Sequence, residues 1–209
     1  MPFTREQFFQ MFADYNLAIW PAQIVAYALA GLAIAAVIFR IPHASRIATL
    51  VLAVFWFWNG AAYHAAFFST INPAAFAFAA LFLAQAVIFV HSGISGRGLT
   101  LSVAPDLRTG VAMILIVYAL AGYSLLGAIR GHVWPQAPVF GVAPCPTAIF
   151  TFGLLMLARD RSRPIVFLIP VVWAAVGTSA AILMSVTEDW GLAVAAAAYL
   201  LMRFHPARV

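Results

Sequence analysis

Between Asn16 and His205 the chain passes through seven long apolar stretches, and no Asp, Glu, Lys or Arg falls in the middle of any of them. Backbone placed in hydrocarbon must satisfy its own hydrogen bonds, which leaves helices or closed barrels. Charge-free stretches of ~20 residues point to helices. Composition agrees: 65% of the residues are hydrophobic and 8% charged, against ~45–50% and ~25% in soluble domains. A water-soluble globule of 209 residues cannot bury that much apolar surface. A cytosolic enzyme, a disordered chain and a disulfide-stapled secreted domain are thereby excluded. The expectation is an all-α bundle of seven transmembrane helices.

The stretches cover residues 17–39, 47–68, 73–92, 109–129, 138–158, 164–186 and 190–204. Asn16 reads as a cap for the first, and Pro170 as a kink in the sixth. Pro144 and Pro146 interrupt the fifth; a six-span alternative makes it re-entrant. The seventh is short and alanine-rich, so both need tilt or local bilayer thinning to cross. Ahead of them, Thr4 and Gln7 have the spacing of a capping box, and Phe8, Phe9, Phe12 and Tyr15 follow near one helical face. Residues 1–16 therefore read as a short amphipathic helix in the membrane interface, or a lid, and 17–209 as one membrane domain. The two halves show no repeat, which speaks against an inverted-repeat transporter.

The chain has eleven arginines and no lysine. A retinal-type Schiff base needs a lysine amine, so that chemistry is excluded. The arginines form no basic run, so the partner they indicate is the lipid bilayer, with no nucleic acid. With alternate loops assigned to alternate sides, one side holds Arg40, Arg46, Arg97, Arg108, Arg159, Arg161, Arg163, Arg203 and Arg208, the other only Arg5 and Arg130. The positive-inside rule then puts the N-terminus outside and the C-terminus in the cytoplasm.

Polar chemistry is concentrated in a few places. At ~100° per residue, Trp56, Asn59, Gly60, Tyr63, His64 and Phe67 share an arc of about 140°. An amide, a phenol and an imidazole in hydrocarbon must find partners, so this face should turn inward. Pro146 suits a first helical position, which places Cys145 at or beside an N-cap with Thr147 following. Glu188 and Asp189 precede the last stretch, where acids suit a helix N-terminus. Asn72 ends the aromatic stretch on the same side. His132 is expected to be solvated, and His91, near the other face, to pair locally. Gln23 and Gln85 are expected to bridge helices, and Thr178 and Ser179 to bond backbone carbonyls.

The run Phe57-Trp-Asn-Gly-Ala-Ala-Tyr-His64, with Phe67-Phe68, Ile71-Asn-Pro73 and Cys145-Pro-Thr147, resembles an uncharacterised bacterial family of polytopic membrane proteins, a domain of unknown function. The resemblance covers most of the chain, implies a bacterial inner-membrane location and carries no activity.

These readings converge on an outward-facing pocket binding or transporting a small neutral solute or a soft metal ion. Trp56, Asn59, Tyr63, His64, Asn72, Cys145, Thr147 and Asp189 would line it, with His64 and Cys145 as the metal ligands. A membrane enzyme using Cys145 and His64 in the same pocket is the alternative, and a structural subunit without chemistry a third. A homo-oligomer or a membrane partner subunit fits any of them.

Overall fold

The computed structural model describes residues 2–95, 99–159 and 164–204. Arg97, Arg161, Arg163, His205 and Arg208, used in the sequence reading, lie outside the described residues. Among the described residues the architecture is helical, and an isolated antiparallel bridge joins Leu101 to Ala158.

Helix α1 (Arg5–Ala18) opens with the expected capping box, Thr4 and Gln7 each serving the other's backbone N–H. Asn16 does not cap the next helix. It lies inside α1, and its amide donates to the carbonyls of Pro135 and Ala137. A break at 19–21 then turns the chain by 81° into α2 (Ala22–Ile38). Helix α3 (Ala44–Trp58) continues without interruption through a π-helical stretch, Asn59–Phe67, and a 3-10 turn, Phe68–Thr70. After the Asn72-Pro73 turn comes α4 (Ala75–Ile94). Helices α5 (Leu107–Val117) and α6 (Tyr123–Ile129) form one rod joined by a second π stretch, Tyr118–Gly122. Helices α7 (Pro144–Met156), α8 (Ile165–Met184, with Pro170 inside) and α9 (Trp190–Phe204) complete the bundle. Pro144, not Pro146, takes the first position of α7, so Cys145 is the second helical residue and Ala143 the cap.

Four of these rods are long and apolar enough to cross a membrane: Ala44–Thr70, Ala75–Ile94, Leu107–Ile129 and Ile165–Met184. The bent pair α1 and α2 makes a fifth if taken as one span. The fifth expected stretch behaves differently. Helix α7 has 13 residues, about 20 Å of rise at ~1.5 Å per residue, against ~30 Å of hydrocarbon. From Phe140 to Ala158 every residue is buried. Helix α7 is therefore the central pillar of the protein, packed against α3, α5, α8 and α9. The irregular chain leading into it is tolerated because protein, not lipid, surrounds it. Trp56 Nε1 donates to Thr151 Oγ1 at 3.0 Å and fixes α3 to this pillar.

The outer faces of the rods are apolar. Ile24, Val87, Ile114, Leu125, Leu168, Ile182 and Val194 are all exposed. So large an apolar exterior marks a surface that meets something other than water. Gln85 bridges α4 to the Val166 carbonyl, and Gln23 reaches the Asn16 carbonyl, as their mid-stretch positions suggest. Thr178 and Ser179 bond the carbonyls of Ala174 and Val176. One end of the bundle carries Arg40, Arg46, Arg108, Arg159 and Arg203, at the outgoing or incoming ends of α2, α3, α5, α7 and α9. There the Arg159 guanidinium hydrogen-bonds the exposed Asp106 carboxylate and holds it down to about 2. The opposite end carries Arg5 and Arg130 and is covered by α1.

Candidate functional site

Helix α1 is anchored by polar bonds across that end. Tyr15 donates its hydroxyl proton to the Val142 carbonyl at 2.7 Å and accepts from Trp58 Nε1 at 2.8 Å. Held there, α1 and the residues before it cover a cavity of about 180 Å³. A cavity of ~150 Å³ lined by apolar side chains holds a benzene-sized molecule, which sets the scale. Phe3, Phe8 and Phe12 form its roof, and Tyr63, Phe68, Phe78 and Trp173 form its walls from α3, α4 and α8. Pro2 and Ser179 mark an exposed rim; Tyr123, Cys145 and Asp189 are buried at the floor.

Two π stretches position these groups. In a π turn each carbonyl reaches the amide five residues on, one further than in an α-helix, so the chain winds fewer degrees per residue. Tyr118 and Tyr123, five apart, therefore meet the same turn, Thr187–Asp189. Tyr118 donates to the Glu188 carbonyl at 2.7 Å and Tyr123 to Asp189 Oδ1 at 2.6 Å. Gly191 leaves the space that the Tyr118 ring occupies: a Cβ there would lie 2.2 Å from Tyr118 Cε1. Gly177 likewise brings α8 close to the floor, with a Cβ position 3.3 Å from Cys145 Sγ and 3.7 Å from Trp173 Nε1. The thiol thus adjoins Trp173 as well as the Asp189 carboxyl. In the turn ahead of α9, burial pushes the Asp189 carboxyl up to about 7, with Tyr123 and Cys145 opposing through hydrogen bonds and Glu188 adding repulsion.

Of the eight residues singled out in the sequence, Tyr63, Asn72, Cys145 and Asp189 line the cavity. Trp56, Asn59 and Thr147 do not. They form the joint between α3 and α7, where Asn59 Nδ2 donates to the carbonyls of Phe55 and Gly141 and lies 3.5 Å from Thr147 Oγ1. The single arc expected for this face assumed α-helical winding throughout; the π stretch starting at Asn59 changes the phase. His64 is fully buried among aromatic rings, with Phe82 at 4.7 Å and Trp173 at 5.1 Å between centroids. Neither ring nitrogen has a hydrogen-bond partner. Trp173 is the shared neighbour of His64 and Cys145. Among the described residues, no three His, Cys, Asp or Glu side chains gather as a metal-ligand set.

Beside the cavity, His132 departs from its expected solvation. It is 6% exposed, its Nδ1 lies 2.7 Å from Glu188 Oε1, and Arg5 Nη2 lies 3.2 Å from its Nε2. Phe9 stacks on its ring at 4.5 Å. Arginine can only donate, so Nε2 accepts and the imidazole proton is on Nδ1, directed at Glu188. Sequence reasoning missed Tyr118, Tyr123 and Trp173. The five-residue spacing of the tyrosines beside Gly122, and a tryptophan four residues before Gly177, were the signals available.

A family model described as "Family of unknown function (DUF6064)" matches residues 5–208. No curated protein and no solved structure matches the chain.

Proposed function

The chain belongs to this family of unknown function, and from its own geometry we propose a multi-pass membrane protein that binds a small, largely apolar solute in the cavity beneath α1. The observation that carries the reading is the cavity itself: about 180 Å³, roofed and walled by aromatic rings, with a thiol and a carboxyl side by side at its floor. Concave, mostly apolar sites with a few convergent polar groups are the usual form of small-molecule sites. Binding is the first step of transport, and the same cavity serves either role.

The arginine distribution supports an inner-membrane location, with the cavity on the outer side and the C-terminus in the cytoplasm. Seven crossings fit that alternation, with the chain through α7 passing inside the bundle, shielded from lipid by its neighbours, and α9 crossing within a tilted or thinned region. A soft metal ion finds no set of three His, Cys, Asp or Glu ligands among the described residues, and His64 is walled by rings. A membrane enzyme is the second reading, favoured by the placement of the Cys145 thiol against the Asp189 carboxyl. It requires a turnover that Cys145→Ser abolishes while binding persists.

The test uses purified protein in nanodiscs. Mass spectrometry of solvent extracts should show a small molecule retained by the wild type and lost from Val176→Phe, which fills the cavity. The same molecule should slow alkylation of Cys145 by a small maleimide at least fivefold. Identical extracts from both proteins, together with unprotected Cys145, would remove the binding reading.

A further inference from the structure

We propose that the solute is a small organic cation, a protonated or quaternary amine, held among aromatic side chains with Asp189 as its counter-ion. This rests on the cavity being a binding site and adds the chemical class of its occupant.

The two neighbouring acids are treated differently by the fold. Glu188, fully buried, has the His132 ring at 2.7 Å, with Arg5 behind it. Asp189, 4% exposed, receives the Tyr123 hydroxyl and adjoins the Cys145 thiol. Among the described residues no arginine or histidine lies within ion-pair distance of it. An isolated buried carboxylate is costly, so it takes up either a proton or a positive partner, and burial has already pushed the Asp189 carboxyl up to about 7. Asp189 lines a cavity wide enough for a small molecule. A cation entering there supplies the missing partner.

The walls favour the same occupant. Tyr63 and Phe68 are stacked at 5.7 Å, and Phe78 meets Trp173 edge-on at 5.6 Å. All four line the cavity that holds Asp189. Aromatic walls are a known surround for ammonium groups, through ring quadrupoles whose pull strengthens as water is excluded. A hydrated metal ion would gain little from such walls. A neutral solute would leave the carboxyl without a charge partner.

The experiment compares 2-phenylethylammonium and benzyltrimethylammonium with the neutral 2-phenylethanol. Binding is read by titration calorimetry on the full chain in phosphatidylcholine nanodiscs, a lipid without net charge. The ammonium probes are expected to bind at least tenfold more tightly than the alcohol. Asp189→Asn should abolish that preference, the ammonium probes losing at least tenfold more affinity than the alcohol. Protection of Cys145 from alkylation in the wild type gives a second readout that needs no variant: the ammonium probes should protect and the alcohol should not at the same concentration. Equal binding and equal protection by amine and alcohol would overturn the cation while leaving the cavity reading standing. No binding and no protection by any of the three would overturn both.

Discussion

His132 shows how far a single side chain can depart from what its neighbours in sequence suggest. It lies in a loop beside Arg130 and Gly131, a solvated setting by every local criterion. Its partners are 127 residues away in Arg5 and 56 away in Glu188, and no local pattern encodes either. Removing the donor of a buried hydrogen bond leaves its acceptor unsatisfied, at a cost of about 1–3 kcal/mol. His132→Ala is expected to lower stability by about that amount, seen as a fall in the denaturation midpoint in detergent. His132→Ala with Glu188→Ala should recover part of the loss, since no buried acceptor is then left without its donor. A double variant no more stable than the single would contradict this account. Asp189 was legible as a site residue because it adjoins a helix start. The aromatic lining of its cavity was not, because Phe3, Phe8, Phe12, Phe78 and Trp173 come to that cavity from separate parts of the chain. Cys145 was legible through its prolines, though the base expected beside it, His64, is walled by rings and the carboxyl of Asp189 takes that place.

Among the elements, α9 begins at Trp190 as the apolar pattern indicated, and α4 and the α5–α6 rod match their stretches within two or three residues. Helix α7 does not. Apolar composition reports that a segment avoids water, but not whether lipid or protein replaces it, so a pillar and a span read alike. Its close crossing with α5 depends on Gly153, where a Cβ would lie 2.7 Å from Ile116 Cγ1 and 3.1 Å from the Ala112 carbonyl oxygen. Small residues let membrane helices approach in this way. Gly153→Ala presses on backbone that cannot yield as a side chain would. It should destabilise the protein by about 1–3 kcal/mol, whereas Gly110→Ala, with open space around it, should be neutral or slightly stabilising. Thermal midpoints of the two variants check the contrast; equal shifts would mean that the crossing is looser than described. The two π stretches were invisible to a reading that assumed one winding throughout, and that assumption placed Trp56, Asn59, Tyr63 and His64 on one face.

For the whole molecule, the sequence carried the helical class and the apolar exterior, since both follow from composition and period. The gathering of arginines at one end is equally a sequence property, and the described residues preserve it. In a Cys145→Ser background, Arg130→Cys should react with an impermeant maleimide added outside intact cells, and Arg46→Cys only after lysis. The reverse pattern would invert the proposed orientation. The π stretch in α3 has a further consequence at this scale, because it sets the rotational phase between the two halves of a 27-residue rod. Wound as continuous α-helix with no residue removed, the same segment would have better local geometry but would turn further, by about one residue's worth. The upper half would then swing by about 100° relative to the lower, carrying the Tyr63 phenol off the cavity and the Asn72 turn off its rim. The irregular winding is therefore the register key of the assembly: the less regular helix keeps the hollow intact, and regularising it would dismantle the hollow without unfolding a single rod.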